Sequence, residues 1–215
     1  MSSPPVLDRL QRAELAKAAR REDILAAARR VFASRGFRGT TIADIADDAG
    51  IALGTIYLYF PSKEAVFAAL NARLGELIAE AGRIAEVGPS LEETVRRRID
   101  AVFAACSLNR DLVRLVVLNT DPGTEIQRRI KDADEVRNRP IAREIAVGVE
   151  RGTIRACDPV VAARLIQGLI SMAVYQAFVL GNGGDADAFR DACADMITAY
   201  LQPAMGTSSD GSPGR

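Results

Sequence analysis

The chain is predicted to be all-α: an N-terminal three-helix head of helix-turn-helix type, then a larger helical domain. Three observations predict it. Apolar residues recur at intervals of three and four almost throughout, the spacing of one helical face. Ala, Leu, Arg and Glu dominate, and these are good helix formers. No stretch alternates apolar and polar residues as a half-buried strand does. Between residues 20 and 60 the glycine and proline stops also fall close together, so the helices there must be short.

Taken in order, residues 1–19 open with Ser2-Ser3-Pro4-Pro5 and carry Arg9, Arg12 and Lys17. They are expected as a flexible arm. A first helix is expected from Arg20 to Ser34, with Ile24, Leu25, Ala28, Val31 and Phe32 on one face and Gly36 as its stop. Thr41 caps the second helix, and Asp44, three residues on, closes a capping box. Its apolar positions are Ile42, Ile45, Ala46 and Ala49, and Gly50 ends it. A third helix is expected from Leu53 to Tyr59. Pro61 cannot continue it, and Ser62 caps the next. Two short helices joined by a turn that opens on glycine give the outline of a helix-turn-helix, with the head placed at residues 20–65.

Longer helices follow in a second domain, residues 66–202. They are expected at Lys63 to Ala85, at Ser90 to Ser107 behind a Ser90…Glu93 capping box, and from Asn109 or Arg110 to Thr120. A turn at Asp121-Pro122-Gly123 precedes a charged stretch, Glu125 to Asn138, which Pro140 interrupts. Ile141 to Arg151 is helical again. Asp158 caps a helix that reaches Leu180, with Pro159 at its first position, and Asp185 to Leu201 is the last. Residues 203–215 are expected as a disordered tail.

Composition narrows the function. The chain has 215 residues, 48% of them hydrophobic and 26% charged, ordinary for a globular protein with room for a core. The N-terminus lacks the apolar segment of a secretory signal, and no apolar run approaches the ~18 residues of a membrane span. A cytoplasmic protein with no membrane partner is expected. There is no histidine, which excludes Ser-His-Asp and Cys-His nucleophile systems and histidine-containing zinc sites. Cys106, Cys157 and Cys193 have no metal-ligand spacing and read as packing residues. No catalytic residue, metal site or cofactor is expected. Net charge is zero, yet residues 1–63 hold ten Lys and Arg against seven Asp and Glu. That excess points weakly to an anionic partner for the head.

A helix-turn-helix places the N-terminal end of its second helix in the major groove of DNA. Small residues there permit close approach. Leu53, Gly54, Thr55 and Tyr57 fit that position. Gly54 lets backbone come near, Thr55 can donate to a phosphate, and Tyr57 can cover a thymine methyl or donate its hydroxyl. Lys63, Thr40 and Thr41 are candidates for phosphates, as are Arg20 and Arg21 with the arm before them. Ile56 and Phe60 share one face and belong to the core. Tyr59 is open between packing and phosphate.

The stretch from Ile24 to Leu70 resembles the N-terminal domain of the tetracycline-repressor (TetR/AcrR) family. Phe32 with Gly36-Phe37, the Thr40-Thr41 cap, Ile45-Ala46, Ala49-Gly50-Ile51, Gly54-Thr55-Ile56-Tyr57, Tyr59-Phe60 and Ser62-Lys63-Glu64 carry the resemblance. Ala52 and Leu53 depart from it, since many relatives have polar residues there. The resemblance implies a repressor that binds a palindromic double-stranded DNA operator as a homodimer and is released by a small-molecule effector. Its last two long helices would pair with those of a second subunit. Leu165 and Leu169 lie in a broad apolar band on the first of these, and Met196, Ile197 and Tyr200 in a stripe on the second. A band too wide for one neighbour supports the same reading. Candidate effector contacts are Phe67, Leu70, Leu74, Phe103, Cys106, Leu115, Asn119, Ile145, Met172, Tyr175 and Gln176. The polar members want partners on otherwise apolar faces, so an apolar effector, acyl or aromatic, with one or two polar groups is expected. The rival readings are a DNA-binding regulator without a small-molecule ligand and an enzyme that works without histidine.

Overall fold

The computed structural model describes residues 9–85, 87–119, 125–181 and 185–203, with backbone alone for 125–137. The expected turn at Asp121-Pro122-Gly123, residues 1–8 of the expected arm and the tail from residue 204 lie outside these. The described residues form α1 (Arg9–Arg35), α2 (Ile42–Asp48), α3 (Leu53–Ile56), α4 (Lys63–Ile84), α5 (Leu91–Leu108), α6 (Arg110–Leu118), α7 (Glu125–Glu150), α8 (Pro159–Val174) and α9 (Ala186–Leu201). No strand occurs among them. Two compact units divide the chain. One comprises residues 1–78 and 106–133, the other 79–105 and 134–215.

The first unit is built on α1. Ile24, Leu25, Ala27, Ala28, Val31 and Phe32 are buried along one face of it. Ile45 and Ala46 of α2, Ile56 of α3, Phe60 and the start of α4 complete this core. Gly36 and Gly50 have positive φ of 69° and 65°, where a side chain would be strained, and each ends a helix as expected. Thr41 caps α2: its Oγ1 accepts from Asp44 N at 3.2 Å, while Thr41 N donates to Asp44 Oδ2 at 2.8 Å. The Thr41 hydroxyl also donates to that carboxylate, and these bonds hold Asp44 below the usual carboxylate range. This unit reaches past the expected boundary at residue 65 and takes in α6. Val66, Phe67, Leu70 and Leu74 of α4 are buried, and Arg29 of α1 is bonded to Asp111 and Asn109.

Three expectations about elements are corrected. Residues 9–19 are not an irregular arm but the first three turns of α1. They are rich in Ala, Leu, Arg and Lys, whose helix propensity suffices beside a stably nucleated helix. α3 stops at Ile56, and Tyr57 to Tyr59 form a tighter turn in which Leu58 N and Tyr59 N reach carbonyls three residues back. Pro140 does not break its segment: α7 runs through it for 26 residues. Pro140 itself is exposed.

In the second unit Asp158 caps α8 as expected, its Oδ1 accepting from Val160 N at 2.8 Å and Val161 N at 3.0 Å. α8 widens at its end into a π-helical turn, Tyr175–Leu180, closed by Gly181 N donating to Gln176 O at 2.9 Å. Phe103 of α5 packs on Phe178 with ring centroids 5.8 Å apart. Arg190 of α9 bonds Asp187 and Asp191 and reaches Asp100 of α5 at 3.2 Å. Pro159–Leu180, 22 residues, is among the described residues the helix long and apolar enough to cross a membrane by length and composition. Counting uninterrupted apolar runs misses it, because Arg164, Gln167 and Gln176 break the run without lowering the average far. Its Ala162, Ala163, Ile166, Ala173 and Val174 are buried inside the unit.

Candidate nucleic-acid interface

The turn from Ile51 to Phe60 divides its side chains between inside and outside. Ile56 and Phe60 are buried, at 0% and 3% exposure. Leu53, Gly54 and Leu58 are exposed, Tyr57 is 49% exposed, and Thr55 and Tyr59 are half-buried. Gly54 is informative. Its backbone is helical, so no special φ requires glycine, and a Cβ built there would meet nothing within 4 Å. Glycine in a helix costs about 0.5–1 kcal/mol relative to alanine. Nothing among the described residues explains that cost, whereas a partner surface approaching the backbone would. Leu58 was not singled out from the sequence. It lies two residues past the end of α3 at Ile56, in the tighter turn that follows.

The cations sort differently from the sequence expectation. Lys63 Nζ donates to the carbonyl oxygens of Phe37 at 2.9 Å and Thr40 at 2.8 Å and sits 4.5 Å from the Phe37 ring centroid. It pins the α1–α2 turn to the start of α4, where unpaired carbonyls and an aromatic face attract a cation. Its expected phosphate role is thereby corrected to a mainly structural one. Thr40 is corrected likewise: it is 2% exposed, and its hydroxyl donates to Gly36 O at 2.8 Å. The Thr41 hydroxyl is engaged in the capping box. Arg30 pairs with Asp48 at 2.6 Å and Arg35 with Asp44 at 2.5 Å, so these two tie α1 to α2. Arg21 lies over the Phe60 ring at 5.1 Å, and Arg20 is 3.5 Å from Asp23. Both are exposed, and Arg21 lies at the end of the reading turn.

The expected effector contacts are divided between the two units. Phe67, Leu70, Leu74, Cys106, Leu115 and Asn119 belong to the first unit, and Phe103, Ile145, Met172, Tyr175 and Gln176 to the second. Phe67 is a head residue: fully buried, with its ring 4.9 Å from Phe37 and 6.2 Å from Phe32. The Asn119 amide donates to Leu115 O one turn back, at 2.8 Å. Met172 is 56% exposed, so it lines the outside of α8 rather than an interior wall. Cys106 is sealed in, and burial pushes its thiol up to about 12; Cys193 is pushed up to about 11 for the same reason. Thiols held neutral in this way are poor nucleophiles. No group of three metal-ligating side chains occurs among the described residues.

Of the expected pairing residues, Leu165 and Met196 are exposed, while Leu169 is half-buried. Val161, Leu165, Gly168 and Met172, all exposed, follow one another at steps of four, three and four along α8. Ile197 is corrected to an intrachain core position at 4% exposure. Tyr200 is half-buried under Arg155, 5.1 Å from its ring centroid.

An all-helical chain whose short capped helices present a glycine, a threonine and a tyrosine on one exposed turn is a helix-turn-helix protein. Comparison with known proteins identifies the head. Residues 24–70 match the family of bacterial regulatory proteins, tetR family. The repressor KstR2 of Rhodococcus jostii is 35% identical over 127 residues, which are 55% of this chain and 60% of that protein. The repressor AcnR of Corynebacterium efficiens is 28% identical over 144 residues, 65% of this chain and 71% of that protein. The fold matches that of Bacillus subtilis FadR, solved in complex with stearoyl-CoA, at a TM-score of 0.72 and 22% identity, over 84% of this chain and 99% of that one. Salmonella enterica GusR matches at 0.71 and 23%, over 85% and 95%. The head thus carries a tetR-family domain over residues 24–70, and KstR2 and AcnR, which the chain resembles over part of its length, are transcriptional repressors.

Proposed function

We propose that the chain is a ligand-responsive transcriptional repressor that acts in the cytoplasm. It binds a palindromic operator as a homodimer and is released by a small, largely apolar effector. The observation that carries the DNA-binding part is the open space over Gly54 beside exposed Leu53, Tyr57 and Leu58. Thr55 is the hydroxyl nearest that opening in sequence, and Arg21 lies over Phe60 at the end of the same turn. The exposed line Val161, Leu165, Gly168 and Met172 with Met196 supports pairing with a second copy. At Gly168, as at Gly54, a built Cβ would meet no other part of the described residues within 4 Å beyond its own helix backbone and chain neighbours, which leaves room for a partner helix. Two heads related by a two-fold axis require a two-fold operator. The named ligand of FadR, an acyl thioester, supports an acyl-type effector for this chain. The π-helical turn that begins at Tyr175 and Gln176 is a feature often met at functional sites. An effector that favours another orientation of α4 would oppose DNA by linkage, each ligand weakening the other by the same factor.

The test compares Tyr57→Ala with Tyr57→Phe in the full chain. The alanine variant folds and dimerises like the parent and loses about tenfold or more in operator affinity, consistent with a base or phosphate contact of about 1–3 kcal/mol. The phenylalanine variant falls between them if the hydroxyl contributes. An alanine variant that binds as tightly as the parent contradicts the assignment.

A further inference from the structure

The N-terminal part of α1 buries none of its residues in the head's core. Residues 9–23 are exposed throughout, yet they continue the same helix without a break. Following one side of that helix backwards from the core gives an ordered series. Val31, Ala27 and Ile24 are buried against the rest of the head. Stepping back by three or four residues, the same line continues as Arg20, Lys17, Ala13 and Arg9, because a helix repeats every 3.6 residues. Arg12 borders the line, and Ala16 lies on it beside Lys17. The face that is apolar under α2 and α3 thus becomes basic where the head ends. Of the acidic residues in this stretch, Glu22 lies on the opposite side, Glu14 borders the line on the flank opposite Arg12, and Asp23 pairs with Arg20.

The head ends beside the reading turn. Arg21 rests on Phe60, at the end of that turn. Whatever the turn docks on is therefore the next surface that this basic line meets. We propose that Arg9–Arg20 is a rigid phosphate-binding arm, which lies along the backbone of duplex DNA just outside the half-site read by Leu53 to Tyr57. The proposal rests on that reading of the turn. The dimensions fit. Arg9 to Arg20 spans about 16 Å of helix, close to the rise of five nucleotides at about 3.4 Å each. The alanines between the cations let the helix approach closely, and cations on one helical side match a row of phosphates. Such contacts add affinity and fix register without reading sequence.

The probes are a mixed-sequence 40-base-pair duplex and a duplex selected by the full chain from a random library, intact and trimmed to its half-sites. Arg9→Gln, Arg12→Gln and Lys17→Gln are combined in one variant, and helix content is checked by circular dichroism. Each neutralised phosphate contributes about 0.9 to the slope of log K against log salt. The variant's slope is therefore expected to be shallower by about 2.7 per arm on both long duplexes. It should equal the parent's on the trimmed one, with the preference for selected over mixed sequence kept. A charge-preserving variant, Arg9→Lys with Arg12→Lys, keeps the parent slope. An unchanged slope on the long duplexes overturns the arm. So does loss of binding to phosphatidylserine vesicles with no change on DNA, which would assign the basic face to membranes. If the library yields no common sequence, the reading of the turn fails instead, and the slope on the mixed duplex still decides the arm.

Discussion

Gly54 concentrates the functional argument in one residue. Its conformation is one alanine adopts freely, and no other described residue fills the space beside it. Gly54→Ala is therefore expected to raise the stability of the head by about 0.5 kcal/mol or more while weakening operator binding severalfold. Urea unfolding and a fluorescence binding titration check the two halves. Stability and binding that move in the same direction would show the glycine serving the fold. The same residue-level logic was half legible in the sequence. Gly36, Gly50, Thr41 and Asp158 announce their roles through local backbone chemistry, and each caps or stops a helix as expected. Lys63, Thr40 and Phe67 were misassigned because their partners, Phe37 O, Gly36 O and the Phe32 and Phe37 rings, are set by the packing of separate elements. Residue type and spacing carry no record of that.

At the scale of elements, the attachment of α6 to α1 could not be read from sequence. The Arg29 guanidinium grips the Asp111 carboxylate through two bonds, 2.6 Å from Nε and 2.5 Å from Nη2, and its Nη1 donates to Asn109 at 3.1 Å. These residues are some eighty positions apart. The Arg29 bonds hold the Asp111 carboxyl below the usual carboxylate range. A carboxyl whose pKa is lowered by folding contributes stability above its unfolded pKa, near 4, and loses it as pH falls through the still lower folded value. Asp111→Asn is thus expected to destabilise the first unit at pH 7 by at most about 1 kcal/mol, since both side chains are partly exposed and the pair is screened. The deficit should shrink toward pH 3. Urea midpoints at the two pH values measure it, and a deficit that grows on acidification would contradict the assignment. The helical extension of residues 9–19 and the uninterrupted α7 are also element-scale results. Both were obscured because the Ser-Pro opening and Pro140 signal a break, whereas neighbouring helix carries the chain through.

For the whole molecule, hydrophobic periodicity made the all-helical class and the head legible, because each short helix has its own stop and cap. The effector site was not legible. Its expected residues fall in two compact units, and a long apolar helix face looks alike whether it meets its own core or a second chain. Exposure separates the cases on α8 and α9, where Leu165 and Met196 stay open and Ile197 does not. Leu165→Glu should convert a dimer into monomers, read by light scattering, and lower operator affinity at least tenfold. A dimer that survives the change would place the pairing surface elsewhere. The central claim is that this chain reads a specific two-fold DNA site, and selection of bound duplexes from a random library by the full chain tests it most directly. The account predicts enrichment of an inverted repeat bound at least about 10³-fold more tightly than mixed-sequence duplex at physiological salt. Recovery of no common sequence, or equal affinity for selected and mixed duplexes, would contradict it.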